Sequence, residues 1–139
     1  MDKAELEAAF LTTNYTILKS IIFKENLVLK IGEIADFSST LTGLMEWAYI
    51  TAWNPLPETL TDEQNVKRNS DFLAELKESG FVSHLGVGTA ADGSWSEESF
   101  FIENISKEKA LFYARKFGQL AFVHGVKNQK AELVFAKND

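Results

Sequence analysis

The chain has 139 residues, 45% of them hydrophobic, which suits one compact domain over residues 1–139. Its 14 basic and 20 acidic residues give a net charge of −6, which argues against partners such as nucleic acid or an anionic membrane. The absence of cysteine excludes disulfides and a cysteine nucleophile. The N-terminal MDKAELEAAF lacks the regions of a signal peptide, and no apolar run approaches a membrane span. We therefore expect a cytoplasmic protein.

The first part of the chain predicts a helix over Lys3–Phe10, strands over Tyr15–Leu18 and Leu27–Ile31, a short helix over Asp36–Glu46 and a strand over Trp47–Trp53. This last strand is apolar on both faces, so we expect a central strand covered on both sides. Asn54-Pro55 should end it, because proline cannot donate to a strand ladder.

The second part predicts a helix that is capped by Thr61 and Gln64 and ends at Gly80. Two strands, Phe81–Val87 and Ser99–Ile105, should follow, with the turn Asp92-Gly93 between them. The chain then predicts a helix from Ser106 to Phe117 and a hairpin of Leu120–Val126 and Ala131–Ala136. Short turns between neighbouring strands favour antiparallel pairing. The predicted fold class is α+β, with a single, mostly antiparallel or mixed sheet and helices packed on it. The core should include Tyr49, Phe72, Leu73, Phe101 and Phe122.

The predicted helix between Thr61 and Gly80 carries polar residues on the face that should be buried. Asn65, Arg68 and Asn69 follow helical spacing and share that face. Buried polar groups require partners. Arg68 can hold a carboxylate or phosphate through its planar guanidinium, or it can form an internal salt bridge with Glu97 or Glu98. The sequence alone leaves both interpretations open.

The side-chain amides of Asn54 and Gln119 can likewise contact a ligand or have a structural role. Asn54 ends a central strand, where its amide can contact a ligand or bond the amides of the following turn. Gln119 follows the helix stop Gly118, where it can reach a ligand or cap helix carbonyls.

A pair of adjacent glutamates follows the Asp92-Gly93 turn. Strand alternation places Trp95, Glu97 and Ser99 on one face and Glu98 on the other. Paired carboxylates serve acid–base or metal chemistry, but adjacent ones on opposite faces are badly placed to act together. A solvated strand entry is the structural alternative.

Several common functional signals are absent from the sequence. It contains no phosphate-binding or dinucleotide-binding glycine motif, no HExxH and no GxSxG. The two histidines, His84 and His124, are far apart and lack spaced acidic partners. We therefore expect no metal and no cofactor.

The segments WAYITAWNP, GSWSEESFFI and FGQLAFV, with Asn65 and Arg68 between them, resemble the bacterial family called domain of unknown function 3293. The resemblance extends from FLTTNY to the final strand. It implies little about chemistry, and its pattern positions in this chain are Thr51, Asn54, Pro55, Asn65, Arg68, Trp95, Glu97, Glu98, Ser99, Gly118 and Gln119.

Three functional hypotheses follow from these residues. The favoured one is a binding module whose polar cleft takes a small anionic ligand or a carboxylate of a protein partner. The second is a small enzyme with a glutamate general base and an anion-holding Arg68, and the third is a structural or interaction protein. The candidate site residues are Thr51, Asn54, Asn65, Arg68, Trp95, Glu97, Glu98 and Gln119.

Overall fold

The computed structural model describes residues 2–55 and 58–136. Within these ranges the elements are α1 (Lys3–Thr12), β1 (Asn14–Ile17), β2 (Leu27–Leu29), β3 (Glu46–Ile50), α2 (Asp62–Glu78), β4 (Ser83–Thr89), β5 (Ser96–Glu103), α3 (Lys107–Lys116), β6 (Ala121–Val126) and β7 (Glu132–Phe135). None of the helices in these ranges is long and apolar enough to cross a bilayer.

The strands form one curled antiparallel sheet in the order β2-β1-β4-β5-β3-β6-β7. Consecutive strands pair in β1–β2, β4–β5 and β6–β7, whereas β3 lies between β5 and β6. The predicted class, α+β with a mostly antiparallel sheet, is confirmed.

The curl of the sheet follows from contacts between strands that are not neighbours. β1 and β3 are three places apart in the strand order, which would separate them by roughly 14 Å in a flat sheet. The rings of Tyr15 on β1 and Tyr49 on β3 nevertheless have centroids 5.4 Å apart. The Tyr49 hydroxyl also donates to the Thr16 carbonyl at 2.8 Å. The sheet therefore curls toward the face that carries both tyrosines, which we call the concave face.

Glycine permits this close approach at one position in particular. A Cβ on Gly86 of β4 would lie 2.5 Å from the Tyr49 hydroxyl oxygen and 2.6 Å from the Thr16 carbonyl oxygen. Both distances are far below van der Waals contact. Any side chain at Gly86 would therefore displace Tyr49 and open the curl.

The convex face of the sheet is covered by α2 and α3. Phe72 of α2 is fully buried there, with ring centroids 5.7 Å from Phe100 and 5.0 Å from Phe117. The helix ends agree with their predicted caps. The Thr61 side chain accepts from Gln64 and that of Ser106 from Lys109, and Gly80 has a φ of +80°.

The concave face has its own apolar core, built largely from aromatic rings. Loop residues Phe23 and Phe37 pack on Trp47 and Phe101 of the sheet, and ring centroids of Phe37 and Phe101 are 5.1 Å apart. This core fills one end of the concave face. The other end lies under α1.

The predicted short helix over Asp36–Glu46 is wrong. The segment forms consecutive turns, with Ser38 N donating to the Asp36 carboxylate at 2.9 Å and Leu41 N donating to the Phe37 carbonyl at 2.7 Å. The aspartate side chain thus satisfies backbone groups in a local turn, which competes with helix formation. Leu44 at the end of this segment is nevertheless buried against the concave face.

The predicted strand over Trp47–Trp53 is too long, because β3 ends at Ile50. Of the five residues predicted for the core, Tyr49, Phe72, Phe101 and Phe122 are buried, whereas Leu73 is only partly buried. The buried face of α2 is formed by Asn65, Asn69, Phe72 and Leu76, so Leu73 lies at its edge.

We predict that Gly86→Ala lowers the free energy of unfolding by about 1–3 kcal/mol, because the added methyl group overpacks the Tyr49 contact. Gly88→Ala is the matched control on the same strand, since a Cβ there meets nothing closer than 3.9 Å. Its effect should stay within about 1 kcal/mol. Urea unfolding of the two variants tests this, and equal midpoints would contradict it.

Candidate functional site

The backbone that follows β3 is held by polar side chains of α2. Asn69 accepts from the Ala52 amide at 2.8 Å, and Arg68 Nε donates to the Ala52 carbonyl at 2.8 Å. Asn69 Nδ2 also donates to the Glu98 carbonyl of β5 at 2.8 Å. These groups take the place of a strand neighbour for Ala52, which explains why β3 stops while its chain remains buried.

Asn54 is fixed in the same way by Asn65. The Asn65 side chain accepts from the Asn54 amide and donates to Asn54 Oδ1, both at 2.8 Å. Asn54 Oδ1 also accepts from the Leu60 amide. Asn54 has a φ of +41°, a left-handed conformation that asparagine adopts more readily than most residues. Its side chain therefore orders the loop that enters α2.

Two further side chains bond the peptide groups of Trp53. Thr51 Oγ1 accepts from the Trp53 amide at 3.0 Å and donates to the Glu98 carbonyl at 2.6 Å. Gln119 Nε2 donates to the Trp53 carbonyl at 3.2 Å. Residues 51–54 and the side chains of Asn65, Arg68, Asn69 and Gln119 that bond them are called here the 51–54 network.

Arg68 completes this network by donating to backbone carbonyls on two elements. Besides Ala52, its Nη2 donates to the Phe117 carbonyl at the C-terminus of α3. Terminal helix carbonyls lack intrahelical partners, and a cation there is favourable. Within the described ranges Arg68 forms no ion pair with Glu97 or Glu98, so the salt-bridge interpretation is wrong. The structure places Arg68 as a clamp between α2, α3 and the end of β3.

A cavity of about 500 Å³ lies beside this network on the concave face. Its roof is α1, and its walls come from β1, β3, β4, β5, β6 and the 51–54 network. This volume lies in the range of small-molecule sites. The lining residues are Leu6, Ala9, Phe10, Thr13, Tyr15, Tyr49, Thr51, Asn54, Gly88, Trp95, Glu97, Ser99, Gln119, Leu120, Ala121, Phe122 and Val123.

Glu97 is the charged residue in this largely apolar lining. Among the described residues its carboxyl group has no hydrogen-bond or ion-pair partner, although its carbonyl accepts from Ser99 Oγ. Burial raises the pKa of Glu97 from 4.5 to about 7, because the ionised form loses hydration without gaining a protein partner. The carboxyl group is thus available to a bound molecule and can exist in either protonation state near neutral pH.

Glu98 follows Glu97 on β5, so the side chains of the two residues point to opposite faces of the sheet. Its backbone carbonyl accepts from Thr51 and Asn69, but its side chain is exposed and is not among the cavity-lining residues. The predicted opposite orientation of the two glutamates is confirmed. Of the pair, Glu97 alone is placed for chemistry in the cavity.

Most other polar atoms of the cavity already have one partner. The Tyr15 hydroxyl donates to the Phe10 carbonyl at 2.9 Å and that of Tyr49 to Thr16, and burial raises the pKa of both tyrosines. Gln119 Oε1 and Asn54 Nδ2 have no partner among the described residues. These atoms can still bond a ligand.

The structure therefore divides the predicted site residues into two groups. Thr51, Asn54, Trp95, Glu97 and Gln119 line the cavity, whereas Asn65, Arg68 and Glu98 do not. The lining residues that sequence reasoning missed include Leu6, Ala9 and Phe10 of α1 and the two tyrosines. The helical spacing of Leu6 and Phe10 indicated one apolar side, but nothing in the sequence indicated what that side covers.

The two histidines lie on opposite faces of the sheet. His84 Nε2 is 2.5 Å from Glu103 Oε2 on the concave face, while His124 Nε2 is 3.2 Å from the Ile105 carbonyl on the side of α3. Residues 2–55 and 58–136 contain no group of three or more His, Asp or Glu side chains that could hold a metal ion.

We expect Arg68→Ala to lower the free energy of unfolding by about 1–3 kcal/mol, because it removes the Arg68 donor from the buried Ala52 carbonyl and leaves the Phe117 carbonyl with only the 3.4 Å bond from Gln119 Nε2. Arg68→Lys should restore little, since an ammonium cannot reproduce the planar fork. Lys67→Ala is the neighbouring control, because Lys67 forms an exposed pair with Asp71 worth at most about 1 kcal/mol. Thermal or urea unfolding tests this, and an Arg68→Ala protein as stable as Lys67→Ala would refute the clamp.

We also predict a pH-dependent contribution of Glu97 to stability. Its pKa is about 7 in the folded chain against 4.5 for an ordinary glutamate, so the folded state binds the proton more tightly. The stabilisation is complete below pH 4.5 and is lost as the pH rises through 7. Glu97→Gln should therefore gain stability relative to wild type between pH 5 and about 8. Urea unfolding at both pH values measures this, with Glu98→Gln as the control, and parallel wild-type and Glu97→Gln profiles would contradict it.

The comparisons with known proteins concern the region that contains this site. A family model described as "Protein of unknown function (DUF3293)" matches residues 50–122, which include the 51–54 network and Glu97. No curated protein and no solved structure matches the chain. Since the matched region covers more than half of the chain and confirms the resemblance seen in the sequence motifs, the chain belongs to the DUF3293 family.

Proposed function

We propose that the protein is a small-molecule binding module, and that its ligand occupies the cavity beneath α1. The observation that carries the proposal is the Glu97 carboxyl group, which has no partner among the described residues and lies in a largely apolar cavity of about 500 Å³. Folded proteins rarely leave a partly buried carboxyl group without partners unless it has a function. An apolar pocket with a few convergent polar groups is the usual form of a ligand site.

The 51–54 network supports this proposal by forming one wall of the cavity. Thr51, Asn54 and Gln119 contact the cavity, while their other polar atoms bond backbone groups. A binding wall made in this way is rigid before any ligand arrives, and preorganisation reduces the entropic cost of binding. The network then has a structural role that serves binding.

The expected anionic ligand finds less support in this geometry than an uncharged or cationic one. Arg68, the residue expected to hold an anion, donates to two carbonyls and is not part of the cavity lining. An anion in the cavity would instead face the Glu97 carboxylate. The proposed ligand is therefore a largely apolar molecule with a polar end at Glu97.

A catalytic role for Glu97 is the second candidate function. A pKa of about 7 suits a general acid or base at neutral pH. Such an enzyme would use Glu97 rather than Glu98, because Glu98 points away from the cavity. Binding is preferred because the cavity lining shows no nucleophile activated by a neighbouring base.

The composition of the chain also bears on the location of the protein and on its partners. An acidic protein without cysteine suits the reducing cytoplasm. We place it there and assign it no nucleic-acid partner, since its net charge of −6 opposes phosphate contacts.

The experiment uses three probes that share a phenylbutyl body: 4-phenylbutan-1-ol, 4-phenylbutylamine and 4-phenylbutanoate. At about −0.3 kcal/mol per non-hydrogen atom, such probes should bind with a Kd of a few millimolar or tighter. We expect at least one to give saturable NMR shifts of the amides lining the cavity. Ala9→Phe should abolish this binding by filling the cavity from α1, whereas Ala8→Phe, on the exposed side of the same helix, should leave it unchanged.

Two results would overturn the proposal. One is the absence of saturable shifts with all three probes. The other is binding that persists unchanged in Ala9→Phe, because the probes would then bind elsewhere on the protein.

A further inference from the structure

We infer that the ligand of this cavity is an organic cation, in which an ammonium group contacts Glu97 and an apolar body lies against the aromatic lining. The inference rests on the proposed function and specifies the ligand class of the same site.

The charges of the cavity lining give the first argument. Among the described lining residues Glu97 is the only ionisable group other than the two tyrosines, and these residues include no Lys, Arg or His. A carboxylate in a poorly hydrated cavity is stabilised most by an opposite charge at close range. Since none of the described residues around the cavity supplies this charge, a cationic ligand is the complementary partner.

The hydrogen-bonding capacity of the cavity gives a second, independent argument. The hydroxyl protons of Tyr15 and Ser99 are already donated to the carbonyls of Phe10 and Glu97, so both oxygens remain only as acceptors. Gln119 Oε1 is also a free acceptor, because the amide nitrogen of that side chain donates to backbone carbonyls. Together with the Glu97 carboxylate these acceptors outnumber the free donor of Asn54 Nδ2. An ammonium group is a pure donor with up to three N–H bonds, so it matches this excess of acceptors.

The aromatic lining gives a third argument. The rings of Phe10, Tyr15, Tyr49 and Trp95 line the cavity together with Glu97. Aromatic faces attract cations, most strongly where water is excluded. A carboxylate combined with aromatic rings and without competing basic groups selects ammonium ions over anions of the same size.

Proton linkage gives this ligand a characteristic pH dependence. Ammonium binding favours ionised Glu97, whose pKa burial has raised to about 7, so affinity should rise from pH 6 to about 8. The tyrosines facing Glu97 from β1 and β3 stay neutral in this range, since burial raises their pKa values. The α1 residues above the cavity, Leu6, Ala9 and Phe10, carry no titratable group.

The test compares 4-phenylbutylamine with 4-phenylbutan-1-ol, which has the same body without the charge, in wild type and Glu97→Gln. At about pH 8 we expect the amine to bind wild type at least about tenfold more tightly than the alcohol. Glu97→Gln should remove this preference and its pH dependence, so that the amine and the alcohol bind the variant with similar Kd values. Glu98→Gln is the matched control and should behave as wild type.

The outcomes separate this inference from the proposed function. If the alcohol binds in an Ala9-dependent manner and the amine binds no better, the cation inference is wrong and the binding function stands. Tighter binding of 4-phenylbutanoate than of the amine would also overturn it, in favour of an anion. If Glu97→Gln still binds the amine more tightly than the alcohol, another group recognises the charge and the inference about Glu97 is wrong. If no probe binds, both proposals fail.

Discussion

The arrangement of this protein depends on how α2 satisfies the backbone that leaves β3. At Ile50 the central strand ends, yet Ala52 is fully buried. Its amide and carbonyl would each be destabilising without a partner. Asn69 and Arg68 provide these partners and thereby fix the distance between α2 and the sheet. An apolar helix face could pack at the same place, but it would leave the peptide groups of the segment unsatisfied.

The curl of the sheet converts this fixed segment into one wall of a cavity. The Tyr49 side chain passes over Gly86 and donates to the Thr16 carbonyl, so β1 is held close to β3 across the concave face. Aromatic side chains fill one end of the resulting concave face, whereas α1 covers the other end with Leu6 and other residues of one side. No residue of α1 is buried, so this helix covers the cavity without filling it. The cavity therefore exists because the sheet is curled and because α1 covers the concave face without packing into it.

Local signals in the sequence were sufficient for much of the fold. The capping box of Thr61 and Gln64, the terminal hairpin and the opposite faces of Glu97 and Glu98 all depend on residues close together in the chain, and each is observed. The Asp36–Glu46 error also has a local origin, since its leucine spacing fits a helix but the Asp36 side chain closes a turn.

Long-range features were beyond sequence reasoning. Arg68 was expected to bond a carboxylate or a phosphate, but its Nε and Nη2 donate to the carbonyls of Ala52 and Phe117, which are far from it in sequence. A pattern of residue types identifies polar side chains on a buried face; it does not distinguish side-chain partners from backbone partners. Likewise, pairing of β1 with β4 and the position of α1 over the cavity depend on tertiary structure. The unpaired state of Glu97 follows from that arrangement and has no local sequence signal.

The contrast between Arg68 and Glu97 bears most directly on function. Both are charged groups in partly buried positions, but Arg68 bonds the carbonyls of Ala52 and Phe117, while the Glu97 carboxyl group has no partner in the part of the chain that the structure describes. A structural role explains Arg68 fully. It does not explain Glu97, because with a pKa raised to about 7 the stabilisation present at low pH is lost as this carboxyl group ionises. Proteins commonly retain such destabilising groups at sites where function requires them. A ligand that supplies the missing charge or hydrogen bonds would offset this loss, so binding at Glu97 accounts for both the cavity and its unpartnered carboxyl group.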